Sequence, residues 1–372
     1  MDYEPNELNT PEEGFIVPQE PGRAEVPQNP APDRRRARAV FSRLGLCIAF
    51  IMPVATVADI LLIAVLDHFI SGWRAWPYSI WLIGFGTLYL VGIPLAVLLA
   101  RRMPTLPPEK SPMTAGRYLC IILICVFMMQ AGNMVGLLVQ QVMGAVTGVM
   151  PDNPIEAYAT DESLMLRVVF LVILAPLIEE FIFRKTLIDR MRPYGEKLAV
   201  VTSALMFGLF HGNLSQMFYA VSLGLVFGWV YLRTGRLRYT IGLHMLFNLV
   251  GGVLSVELLK WVDPNLDILE QMNDPSAIIE NSGAITPALI VYVLYAMLLM
   301  GGAVAGLVLL IVKGRRVRFA PMPLELPRGK RFSTAWINVG MILFVCICLL
   351  SVVSTYVDIS SYLLRIINRL SF

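Results

Sequence analysis

The sequence predicts an all-α fold, a polytopic bundle of about nine transmembrane helices behind a disordered N-terminal tail. Three observations carry this reading. Hydrophobic residues make up 56% of the chain and charged residues only 15%, with a mean hydropathy of +0.67, too oily a balance for a soluble domain. Nine apolar runs approach the roughly 20 residues that a helix needs to cross the hydrocarbon. Lys and Arg fall in alternate loops between those runs.

The tail, residues 1–40, is rich in Pro, Glu, Asn and Arg and poor in large apolar residues, so it should be disordered. It lacks the pattern of a secretory signal peptide, in which a basic start precedes a short apolar core and a small-residue cleavage site. The apolar runs span 44–66, 78–100, 118–149, 164–183, 198–212, 217–232, 239–258, 285–312 and 334–357. The fifth and sixth are short and separated by "NLSQ", which reads as a tight helical hairpin. Before the first run stands "RRRAR", and basic residues recur in the second-to-third, fourth-to-fifth, sixth-to-seventh and eighth-to-ninth loops. The intervening loops are poor in them, and two are acidic, "PDNPIEAYATDES" and "WVDPNLDILEQMND". By the positive-inside rule the N-terminus is cytoplasmic, which makes this an integral, multi-pass membrane protein. The last piece, "DISSYLLRIINRLSF", has apolar residues at helical spacing and suits the membrane interface. The chain thus divides into a tail (1–40), N-terminal membrane helices (41–150), a core (151–258), and C-terminal helices and tail (259–372).

No internal repeat or inverted symmetry is visible, which argues against a transporter. Gly224 and Gly228 form a small-residue stripe that lets helix backbones approach. Cys47, Cys120, Cys125, Cys346 and Cys348 all lie in apolar runs without zinc-ligand spacing and read as packing residues. The partners expected are the lipid bilayer and a membrane-associated substrate, with no nucleic acid.

Charged residues inside the fourth run need a reason, because a carboxylate at mid-bilayer costs about 2.5–3.5 kcal/mol on insertion scales. Glu180 and Arg184 are spaced i,i+4 and share a helix face, which suits an ion pair. Glu179 points about 100° away and lacks that partner. Pro176, one turn earlier, frees a backbone carbonyl and can kink the helix. Snorkelling of both glutamates to the interface would be a sufficient explanation, were it not for the histidines. Of three in the chain, His68 lies in a short loop, whereas His211 and His244 lie in apolar runs. His244 and Asn248 share one face, and Phe207 and His211 have the same spacing.

An unpaired Glu, two His and an Asn on three helices could converge on one polar pocket. There Glu179 could take a proton from water, an imidazole could share or deliver it, and a second His with the Asn amide could stabilise an oxyanion. The same inventory suits a metal, since Glu179, His211 and His244 match the ligand set of several catalytic zinc sites. The residues leave that choice open, so no cofactor is certain and a zinc ion is one candidate. His211 presents a difficulty of depth. It falls about 20 Å from the end of its run if that run starts at residue 198, against about 8 Å for Glu179, unless "DRMRPYGEK" is a turn dipping inward.

In order along consecutive apolar segments, "EEFIFR" fits EExxxR, "FGLFH" fits FxxxH and "HMLFN" fits HxxxN. The set resembles the type II CAAX prenyl endopeptidase and bacteriocin-processing family (CPBP, or Abi) of intramembrane proteases over about residues 164–258. The resemblance implies that Glu179 and His211 activate the attacking water, that His244 and Asn248 stabilise the oxyanion, and that Glu180 with Arg184 orients the site. Members are commonly described as metalloproteases, and they act on membrane-associated proteins or peptides, in eukaryotes prenylated ones. The alternatives are a non-catalytic scaffold or bacteriocin-immunity factor using the same helix groove and, third, a proton-coupled transporter. No HExxH, GxGD or intramembrane GxSx pattern supports another type of intramembrane protease.

Overall fold

The computed structural model describes residues 33–151, 163–262 and 287–357, and every regular element among them is a helix. The expected tail up to residue 32, most of both acidic loops and the C-terminal segment from residue 358 lie outside the described residues.

Helix α1 (Arg34–Ala49) starts inside the stretch expected to be tail. Asp33 is the reason. Its carboxylate accepts from the backbone N–H groups of Arg35 and Arg36 at 2.9 and 3.2 Å, which caps a basic run of good helix formers. Arg34 then donates to Thr334 at 3.0 Å, and Arg38 donates to the Ile337 carbonyl. Helix α2 (Ile51–Phe69) follows after a break at Phe50, next to Pro53, which has no N–H to donate to Ala49. Its last turn holds His68, exposed as expected but helical rather than in a loop.

The remaining helices are α3 (Ser79–Ala100), α4 (Ala115–Thr147), α5 (164–191), α6 (Glu196–Phe210), α7 (Leu214–Thr234), α8 (Leu237–Val262), α9 (Pro287–Gly314), α10 (Arg331–Ala335) and α11 (Val339–Ser354). By length and composition, six stretches among the described residues can cross a membrane: α1 with α2, then α3, α4, α7, α8 and α9. The pair α10–α11, bent by 63°, makes a seventh if taken as one span. The count of nine is therefore not confirmed. The difference lies in α5, which carries too many charges, and α6, which has only 15 residues.

Helix α5 does not stop at residue 183. It runs on through Met191, because the charges that read as a loop are satisfied inside the protein. Lys185 and Tyr231 each reach a different oxygen of Asp189 at 2.8 Å. Arg190 donates to the carbonyls of Ala100 and Thr186 at 3.0 and 2.9 Å. Arg192 (3.1 Å), Arg233 (2.5 Å) and the backbone N–H of Ala320 (2.8 Å) converge on buried Glu196 at the start of α6. The depth difficulty disappears with this extension. Glu179 lies about 18 Å from the end of α5, and His211 about 22 Å from the start of α6, at about 1.5 Å per residue.

The α6–α7 turn is His211–Gly212–Asn213, earlier than the expected "NLSQ". Gly212 supplies a left-handed φ of 65°, and Asn213 caps α7 by accepting from the Gln216 N–H at 2.9 Å. The hairpin is tight because a Cβ on Gly208 would strike Val221 and the Met217 carbonyl. A Cβ on Gly224 would sit 3.1 Å from the Ala204 Cα. On the opposite side, Phe41 of α1 and Phe344 of α11 join Phe183, Leu187 and Phe207 in one core, which buttresses α5 and α6.

Replacing Glu196 with Gln should leave Arg192 and Arg233 without a counter-charge and destabilise the fold by about 3 kcal/mol. A fall in the unfolding midpoint of the detergent-solubilised protein checks it, and an unchanged midpoint contradicts the assigned network.

Candidate active site

Helix α5 is underwound in two places. Residues 168–174 and 181–188 are π-helical, and the ordinary turn between them, Ala175–Glu180, carries both glutamates. Wide turns of this kind recur at functional sites. Upstream, the Ala175 N–H bonds to the Phe170 carbonyl five residues back. In that register the next donor would be residue 176, which is proline and has none, so the Leu171 carbonyl needs another partner. Asn248 of α8 provides it, its Nδ2 donating at 2.8 Å. The Asn of "HMLFN" thereby pins α8 to the widened turn, and its second amide hydrogen stays available.

Glu180 is fully buried, and the expected pair with Arg184 is present, Nε to Oε2 at 3.0 Å with both side chains 0% exposed. Its other oxygen accepts from His244 Nδ1 at 2.9 Å. The Arg184 guanidinium lies 4.6 Å from the Phe207 ring centre and 5.4 Å from that of Phe227, so aromatic faces cover the charge that the carboxylate does not. Its Nη atoms have no hydrogen-bond partner among the described residues.

Because His244 uses Nδ1 on Glu180, its Nε2 is turned toward Glu179, 3.7 Å from Oε2. One guanidinium and one imidazole thus face two carboxylates in the same layer. Glu179 is the more open of the two glutamates, with its side chain 20% exposed. His211 sits one residue beyond the end of α6, where its Nδ1 donates to the free Phe207 carbonyl at 2.8 Å. That bond fixes the tautomer and leaves Nε2 as an acceptor. The Phe207 ring stands between the imidazoles, 4.9 Å from His211 and 5.6 Å from His244, edge-on to each. Glu179 and His211 interact electrostatically without forming an ion pair.

Sequence reasoning missed three residues here. Phe227 lies on α7, one turn after Gly224, and packs on both Arg184 and His244. Gln216 donates to the Tyr219 hydroxyl at 3.2 Å, a chain that starts at Asn213 and leads toward Glu179. The i,i+3 spacing of Gln216 and Tyr219, just after the histidine, was the available signal.

The metal reading fits poorly. Among the described residues, no three His, Cys, Asp or Glu side chains converge so as to hold an ion. His211 and His244 instead flank the Phe207 ring, with His244 drawn toward Glu180. All five cysteines are free thiols.

Residues 161–250, about a quarter of the chain, match the family model for Rce1-like type II CAAX prenyl endopeptidases. The Rce1-like match runs from the start of α5 to just beyond Asn248, so it covers every residue of the site described above. No curated protein and no solved structure shows a significant match to the chain.

Arg184→Ala would leave Glu180 buried without its guanidinium, at a cost of about 3–5 kcal/mol. Asn248→Ala would leave the Leu171 carbonyl unpaired, for about 1–3 kcal/mol. Unfolding midpoints should fall in that order, and a larger loss for Asn248→Ala would contradict the assignment.

Proposed function

We propose that the protein is an intramembrane endopeptidase that cleaves a membrane-associated protein or peptide, of the CAAX-protease type, with residues 151–258 as its catalytic core and the basic helix ends facing the cytoplasm. The observation that carries this reading is that His211 and His244 flank Phe207, each anchored through Nδ1, with His244 Nε2 turned toward Glu179.

The chemistry follows from those anchors. A water between Glu179 and His211 donates one hydrogen to the carboxylate and one to His211 Nε2, which aims its lone pair at the substrate carbonyl. Glu179 takes a proton as the water oxygen bonds to the carbonyl carbon, a step of the kind that contributes about 10²–10⁴-fold. The carbonyl π electrons move to the oxygen, and the oxyanion accepts hydrogen bonds from His244 Nε2–H and the spare Asn248 amide hydrogen. Collapse breaks the C–N bond, and the proton held by Glu179 passes, directly or through His211, to the leaving amine. Glu180 and Arg184 do not touch the substrate; they hold His244 in the orientation and charge state that the oxyanion requires.

The family description suggests a prenylated C-terminus as the substrate, so a farnesylated CAAX peptide and its unprenylated counterpart are the probes to use. Glu179→Ala should lower cleavage at least 100-fold with expression and unfolding midpoint unchanged, because Glu179 is partly exposed and its contact with His244 Nε2 is long, at 3.7 Å. Full activity in that variant would refute the assignment and favour a scaffold that uses the same groove.

A further inference from the structure

Away from the catalytic groups, a cavity of about 450 Å³ opens where the 108–113 segment meets the α7–α8 turn. Lys110, Lys185, Arg236 and Arg238 line it together with Tyr231, Gly235 and Leu237. Asp189 is the carboxylate paired within this group, and both of its oxygens are taken by Lys185 and Tyr231 at 2.8 Å. Among the described residues, Lys110 and Arg236 have no ion-pair partner, and the Arg236 Nε is buried without a hydrogen bond. Arg238 donates only to the neutral Tyr239 hydroxyl, at 3.0 Å. The aliphatic stems of Lys110, Arg236 and Arg238 therefore wall a largely apolar hollow and carry three positive charges around it, with no ion-pair partner for them among the described residues.

The hollow is also rigid. The Ser111 N–H bonds to the Thr234 carbonyl at 2.8 Å, and the Met113 N–H bonds to the Tyr239 hydroxyl at 3.0 Å. A Cβ on Gly235 would sit 2.5 Å from the Glu109 carbonyl, so the backbone beside Lys110 is pressed onto the turn. Its level in the membrane is set by three helix ends. Helix α4 begins at Ala115, α7 ends at Thr234 and α8 begins at Leu237, and each is long and apolar enough to cross the bilayer. The cavity thus lies at the edge of the hydrocarbon, where phospholipid phosphates reside.

The geometry points to a binding site for the phosphate of an anionic phospholipid, held by Lys110, Arg236 and Arg238 beside the basic end of the catalytic helices. Scattered interfacial cations would satisfy the positive-inside rule without a shared hollow or a guanidinium nitrogen left unpaired. This inference is independent of the protease reading.

Native mass spectrometry of the purified full chain, titrated with dioleoyl phosphatidylglycerol, tests it. One tight lipid adduct is expected, with dioleoyl phosphatidylcholine bound at least tenfold more weakly. The double variant Lys110→Gln, Arg236→Gln should weaken phosphatidylglycerol binding about thirtyfold, each interfacial cation contributing about fivefold. Lys110→Gln alone, at an exposed position, should weaken it about fivefold and so serves if the double variant does not fold. The exposed pair Arg101→Gln, Arg102→Gln should have no effect. An equal loss in that control pair, or equal binding of phosphatidylcholine, would overturn the site. Displacement of the lipid by inorganic phosphate at matching concentration would assign the cavity to a free anion and overturn the lipid. Displacement by a short peptide with a free C-terminal carboxylate, but not by its amide, would assign it to a peptide terminus instead.

Discussion

A carboxylate with no exposed surface can persist in the interior of a membrane protein only if its charge is met there, and Glu180 is such a group. Arg184 of the same helix meets one oxygen and His244 of α8 the other, and the second contact draws α5 and α8 together. Arg184 is equally buried, so neither partner could remain without the other; an uncompensated charge at this site would cost several kcal/mol. Phe207 and Phe227 close the assembly by facing the guanidinium, and Phe207 in turn sets the spacing of the two histidines. The more exposed glutamate and the two free imidazole nitrogens are arranged around this fixed unit. Positioning is therefore built into the charge balance of the buried layer.

A second constraint is the backbone of α5. Pro176 removes a donor from a turn that is already widened, and Asn248 supplies the missing hydrogen from α8. One residue thus serves both the integrity of the helix and the approach of the third motif to the glutamates. Its amide has two hydrogens, which is why the structural bond does not use up its capacity to donate elsewhere.

Much of this was legible in the sequence. Helical spacing placed Glu180 with Arg184 and separated Glu179 from both, and apolar context singled out His211 and His244 from His68. Position 176 signalled a disturbed helix. What could not be read was where charges would be satisfied. Arg184, Lys185, Asp189, Arg190, Arg192 and Glu196 looked like an interfacial loop because sequence shows charge but not its partner; paired internally, they let α5 continue to Met191. The same blindness hid Asp33 as a cap, so residues from 34 onward read as tail. A convergent metal set was plausible from residue types alone, but among the described residues no three such side chains come together to hold an ion.

The central claim is that both site histidines are held through Nδ1, with Nε2 directed into the pocket. The chain has only three histidines, so nitrogen NMR of the histidine-labelled protein, with His68→Gln to remove the third signal, reads the two tautomers directly. The account predicts a protonated Nδ1 on His211 and on His244, with the His244 proton shifted downfield by its carboxylate partner and lost from that position in Glu180→Ala. Protonation at Nε2 alone on both rings, unaffected by Glu180→Ala, would contradict it.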